Sequence, residues 1–160
     1  MTPQIEAAIR GFGDIFLKGV PVLLRSNDTA FLSFLCTLSA IDALSGYRYS
    51  SDKIGERYPQ FVRDYFPAMY SAHADNIYEF RCRMLHNFSP AKFTVTHGQP
   101  GSHLQPDPYG GFFLSDEVFF RDLADAAAKF FAEVRADVSR ETVMDSRIGN
   151  VAKGGGIYYE

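Results

Sequence analysis

The sequence predicts an all-α protein, a four- to five-helix up-and-down bundle with a small β-hairpin or loop insertion near residues 92–114. Three observations point there. Apolar residues recur at three- and four-residue spacing through most of the chain, the period of helices that bury one face. Start and stop residues punctuate those stretches at helix-length intervals. Only "KFTVTHGQPGSHLQPDPYGGFFLS", from Lys92 to Ser115, breaks the period, alternating short β-prone pieces with Gly and Pro.

The elements follow in order. Thr2 caps and Pro3 opens a first helix that runs to about Leu17. Gly19 and Pro21 interrupt the next stretch, leaving room for a short extra turn. Asn27 or Asp28 caps a second helix, Thr29 to about Ser45, closed by Gly46. After the polar loop "GYRYSSDK", a third helix covers about Ile54 to Phe66 and stops at Pro67. The fourth runs from about Ser71 to Phe88, because Pro90 forbids much continuation. Ser115, Asp116 and Glu117 open the last long helix, which ends near Val138. Its residues Phe119, Leu123, Ala126, Phe130 and Val134 form one apolar face, either core or dimer interface. Residues 1–150 read as a single helical domain, and residues 151–160, ending in "AKGGGIYYE", as a flexible tail.

Composition narrows the function. Of 160 residues, 46% are hydrophobic and 22% charged, which suits a packed domain rather than a disordered chain. Sixteen Lys and Arg against nineteen Asp and Glu give a net charge of −3, so any nucleic acid would have to meet a local basic patch. The start lacks the pattern of a signal peptide, and no uncharged apolar run approaches about 18 residues, so a cytoplasmic protein with no membrane span is expected. Cys36 and Cys82 read as buried, reduced thiols. The "GGG" near the tail lacks the strand, Lys and helix of a phosphate loop, and no cofactor is expected. His97 and His103 read as solvated loop histidines rather than metal ligands, so no metal is expected either.

The stretch "YEFRCRMLHNFSP", Tyr78 to Pro90, places charge where an apolar helix should be. Arg81 has Ile77, Tyr78, Met84 and Leu85 as its helical neighbours, with Phe88 two turns on, so it sits inside an apolar stripe. A guanidinium there costs several kcal/mol unless it is paired. The second helix offers a partner: Phe31, Leu35, Leu38 and Asp42 share a face, so Asp42 and Arg81 should meet. His86 lies about 140° around the helix from Arg81, beside Glu79, Cys82 and Arg83. In "GERYPQFVRDYF" the expected arrangement buries Phe61, Tyr65 and Phe66 while Arg57 and Arg63 face water.

The run from Arg81 to His86 and Asn87 resembles the R-x-x-x-x-H signature of HEPN domains. The context is similar over roughly residues 25–140: an apolar helix containing an acid ("FLCTLSAIDALSG"), an aromatic-rich stretch ("ERYPQFVRDYFPAMY"), then the motif near the end of a long helix. The resemblance implies a helical bundle that dimerises and brings motifs from two subunits into one cleft. It further implies a metal-independent ribonuclease in RNA-linked defence, leaving a 2′,3′-cyclic phosphate. His86 would then be general acid or base and Arg81 the phosphate contact, with Asn87 and Arg83 supporting and Asp42 orienting Arg81. Active ribonucleases of the family often carry a polar residue after the motif arginine, where this chain has Cys82. Other members are non-catalytic, so the alternative is a binding or scaffold domain for a small anionic or nucleotide-like ligand.

Overall fold

The computed structural model describes residues 1–151 of the chain. The tail expected at 151–160 lies outside them, apart from Val151. The architecture is an all-α bundle with a two-stranded insert. Helix α1 spans Pro3–Phe12 and continues as a π-helical segment, Gly13–Leu17; the short α2 is Val20–Leu23. The long helix α3 spans Asn27–Arg48 and α4 spans Ile54–Tyr65. A 3₁₀ turn at Ala68–His73 leads into α5, Ala74–Asn87. Strands β1 (Phe93–Thr96) and β2 (Phe112–Ser115) precede α6, Asp116–Ala136, and α7, Val138–Val151.

Helix α3 is the axis of the bundle, packing against α2, α4, α5, α6 and α7. Phe34, Leu38, Ile41 and Leu44 of α3 meet Tyr58, Phe61 and Val62 of α4, Ile77, Phe80 and Met84 of α5, and Phe119, Leu123 and Phe130 of α6. By length and composition α3 is, among the described residues, the one helix that could cross a bilayer. Here its apolar length serves as the core. It starts two residues earlier than the sequence suggests, because Ser26 supplies the cap, its Oγ accepting from the Asp28 amide at 3.2 Å. It also runs through Gly46 rather than closing there. A Cβ at Gly46 would stand 3.7 Å from the Arg57 guanidinium, so the glycine lets that side chain lie close to the helix.

Three expectations are corrected. The insert is not a hairpin: β1 and β2 run parallel, Phe93 opposite Phe112 through Thr96 opposite Ser115. Residues 97–111 form the crossover, and a connection of a dozen or more residues is what parallel neighbours require. The helix opened at Ser115 ends at Ala136 and a further helix follows it. Asp137 breaks the helix with extended dihedrals and caps the next one, its carboxylate accepting from the Ser139 amide at 2.8 Å, so α7 turns back and buries Met144. Finally, His103 is not solvated.

The crossover folds His103 onto the core, where it is 5% exposed with its ring 5.4 Å from that of Tyr70. Its Nδ1 accepts from the Ser115 amide at 3.2 Å. Burial pushes its pKa down to about 4. An unfolded histidine titrates near 6.5, so the fold binds this proton less readily than the unfolded chain. The stability His103 contributes is therefore whole above about pH 6.5 and lost as pH falls towards 4. That shift corresponds to about 3 kcal/mol. Urea melts from pH 7 to 4.5 should show stability falling less steeply in His103→Gln than in the native protein; parallel slopes would contradict the assignment.

Candidate anion-binding cleft

The site begins with an acid in a hydrophobic row. Asp42 stands on α3 one turn from Leu38, and the fold answers it from two sides. Arg81 of α5 donates from Nη2 to Oδ2, as the sequence requires of a charge in an apolar stripe. Arg57 of α4 donates from Nη2 to Oδ1 at 3.1 Å. The Asp42 and Arg81 side chains are each 20% exposed and that of Arg57 is 12% exposed. Burial works against the charge on Arg81, but the hydrogen bond and charge of Asp42 together outweigh it and raise the arginine's pKa.

Arg57 therefore does not face water as expected. The signal was present: Arg57, Phe61 and Tyr65 are spaced i, i+4, i+8, so the arginine occupies the same stripe as two residues read as buried. Arg63 does reach the surface, where it pairs with Asp75. A third arginine, Arg147, comes from α7 and was missed with that helix. Its Nε donates to the Gly46 carbonyl at 3.0 Å and its Nη1 to Asp52 at 2.6 Å, holding the C-terminal end of α3.

These three arginines and Asp42 line one cleft of about 330 Å³, whose other walls include Ala43, Tyr47 and Leu85. Three guanidinium groups thus face a single lining carboxylate in a chain whose net charge is −3. The Nε of Arg57 is buried and has no hydrogen-bond acceptor among the described residues. A buried charged donor left without an acceptor is unfavourable.

The other motif residues lie elsewhere. His86 and Asn87 are exposed at the end of α5, and Arg83 pairs along the helix with Glu79, Nε to Oε1 at 2.8 Å. None of the three lines the cleft. Because α5 stays helical through Asn87, the separation of about 140° between Arg81 and His86 persists, and one chain does not bring them together. His97 holds Asp116 through Nδ1 at 2.8 Å, and among the described residues no three His, Cys, Asp or Glu side chains converge as a metal site. Cys36 and Cys82 are free and half-buried.

Comparison of the chain with protein-family models, with curated proteins and with solved structures finds no match.

Removing the carboxylate tests the centre of the cleft. Asp42→Ala leaves two mostly buried guanidinium groups facing one another, and should lower stability by about 3 kcal/mol, the low end for breaking a buried pair because the carboxylate retains some solvent. Thermal melts beside Asp42→Asn, which keeps one acceptor, should rank native, Asn, Ala; an unchanged melting temperature in the alanine variant would remove Asp42 from this role.

Proposed function

We propose that the chain is a HEPN-like domain that binds the phosphate of a nucleotide or RNA in the cleft of Arg57, Arg81 and Arg147. The supporting observation is the arrangement of Arg57 and Arg81. Asp42 takes one N–H from each arginine and fixes both side chains, so phosphate meets an ordered set of donors and little side-chain entropy is left to lose. Arginine suits this task because its planar fork matches phosphate oxygens and remains charged at any working pH. The volume of about 330 Å³ falls within the range of small-molecule sites. Ala43, Tyr47 and Leu85 supply an apolar wall for a sugar or base.

RNA cleavage is a second reading, favoured by a specific feature of His86. Its imidazole is exposed and makes no hydrogen bond among the described residues, so it is free to handle a proton. In a homodimer, His86 of the partner subunit would complete the cleft. The exposed face of α3 supports a second copy: Leu32 is 46% exposed, and no charged residue lies between Asp28 and Asp42. The ribose 2′-oxygen would attack phosphorus while the 5′-oxygen departs. Histidine would take the 2′ proton or return one to the leaving oxygen, and the arginines would hold the phosphoryl oxygens.

Calorimetric titration with orthophosphate and AMP tests the binding reading. The native protein should bind, and Arg147→Ala should weaken binding about tenfold, the loss expected for one charge-assisted hydrogen bond. No heat from either ligand would count against the cleft. Incubating RNA with the protein in EDTA, beside His86→Ala, tests the second reading. Cyclic-phosphate ends that vanish in the variant support cleavage, whereas intact RNA in a protein that binds phosphate leaves a binding domain.

A further inference from the structure

Arg81, Leu85 and Phe88 lie at i, i+4 and i+7, so one face of α5 runs about 10 Å from the cleft to the helix end. There the backbone turns sharply. Phe88 caps α5 in the left-handed region at φ 50°, and Ala91 follows at φ 56°. Each such residue costs roughly 1–2 kcal/mol and persists only where its surroundings fix it. The result displays Phe88 to solvent, 70% exposed.

A second aromatic, Tyr109, is displayed beside the segment that follows α5, lining one hollow with Ala91 and Lys92. Tyr109, 88% exposed, rides a loop that Asp107 clamps from inside. Asp107 Oδ1 accepts from the amides of Tyr109 at 2.8 Å and Gly111 at 2.7 Å, and Oδ2 accepts from Thr94 Oγ1 at 2.6 Å. The Asp107 amide donates back to the Gly111 carbonyl at 3.0 Å. The fit admits only glycine at 111, because a Cβ there would stand 2.3 Å from the Lys92 carbonyl oxygen. Between Tyr109 and the strand that follows α5 is a hollow of about 260 Å³, lined by Lys92 and Thr94 among others. An aromatic ring held out on a clamped loop loses little entropy on contact, which is how rigid tyrosines serve recognition surfaces.

We propose that Tyr109 and Phe88 are stacking platforms for unpaired bases of a single-stranded RNA whose phosphate occupies the arginine cleft. Exposed Lys92 lies between them in the chain and neutralises backbone charge. This inference rests on the RNA form of the reading above. The observations select a single strand, because rings that project from the surface can be covered by base faces only when those bases are unstacked from partners.

The test is fluorescence anisotropy with a labelled single-stranded RNA of about a dozen nucleotides, within the usual range of such sites. Tyr109→Ala should raise Kd about 5- to 150-fold, the fold-change equivalent to losing one stacked base, while Tyr109→Phe keeps native affinity. Phe88→Ala should act in the same direction. Native Kd in both alanine variants, or equal affinity for the corresponding duplex, would overturn the proposal. A Phe88→Ala change that alters the sedimentation state without RNA would assign that ring to a subunit contact and overturn its part. Orthophosphate titrated into the native protein separates the two levels: binding there with native RNA affinity in the alanine variants sinks only the platforms, whereas no binding of phosphate or RNA sinks the cleft as well.

Discussion

One carboxylate shared by two arginines is the constraint around which the bundle is organised. Asp42 sits on the central helix, where an unpaired charge would cost several kcal/mol. Its two oxygens draw α4 and α5 inward through Arg57 and Arg81 and so fix how those helices meet α3. Such a pair gives little net stability against an apolar core of equal volume, although removing one partner is costly. Here it does something further. Since each arginine commits one Nη to Asp42, the remaining donors are held in place, and the Nε of Arg57 lacks an acceptor among the described residues. Architecture and the proposed anion site thus share the same three side chains.

The far end of α3 is secured in a related way. Arg147 closes the cleft from α7 by holding the Gly46 carbonyl, and Gly46 is also where the Arg57 guanidinium lies close against the helix. Helix α5 then links two regions of different chemistry. Its start packs on the core through Ile77 and Phe80, its middle supplies Arg81, and its end displays His86 and Phe88 beyond the cleft. The chain is acidic overall and has no general attraction for polyanions, yet three of its arginines line this one cleft.

Much of this was legible in the sequence because buried charge obeys a strict rule. Arg81 and Asp42 each stand in an apolar stripe, so each needs a partner, and their pairing follows from the sequence pattern. The angular gap between Arg81 and His86 followed equally from helix geometry. Arg57 obeyed the same rule, yet an amphipathic reading of α4 sent it to solvent even though Phe61 and Tyr65 shared its face. Arg147 was hidden for a different reason: Asp137 ends α6 and caps α7, and α7 is held by tertiary contacts such as those of Met144 and Arg147 that its own sequence does not announce. The parallel strands and buried His103 were illegible because a Gly- and Pro-rich segment reads as a solvated turn. Its burial depends on a core formed elsewhere in the chain.

In the proposed site, Asp42 holds Arg57 and Arg81 ready for an anion. Proton–nitrogen NMR of the arginine Nε–H groups during an orthophosphate titration at constant pH addresses it most directly. The Arg57 signal, whose donor has no acceptor among the described residues, should shift saturably together with that of Arg81, while Arg63 on the surface stays still. Equal small drifts in all arginine signals, or movement of Arg63 alone, would contradict it.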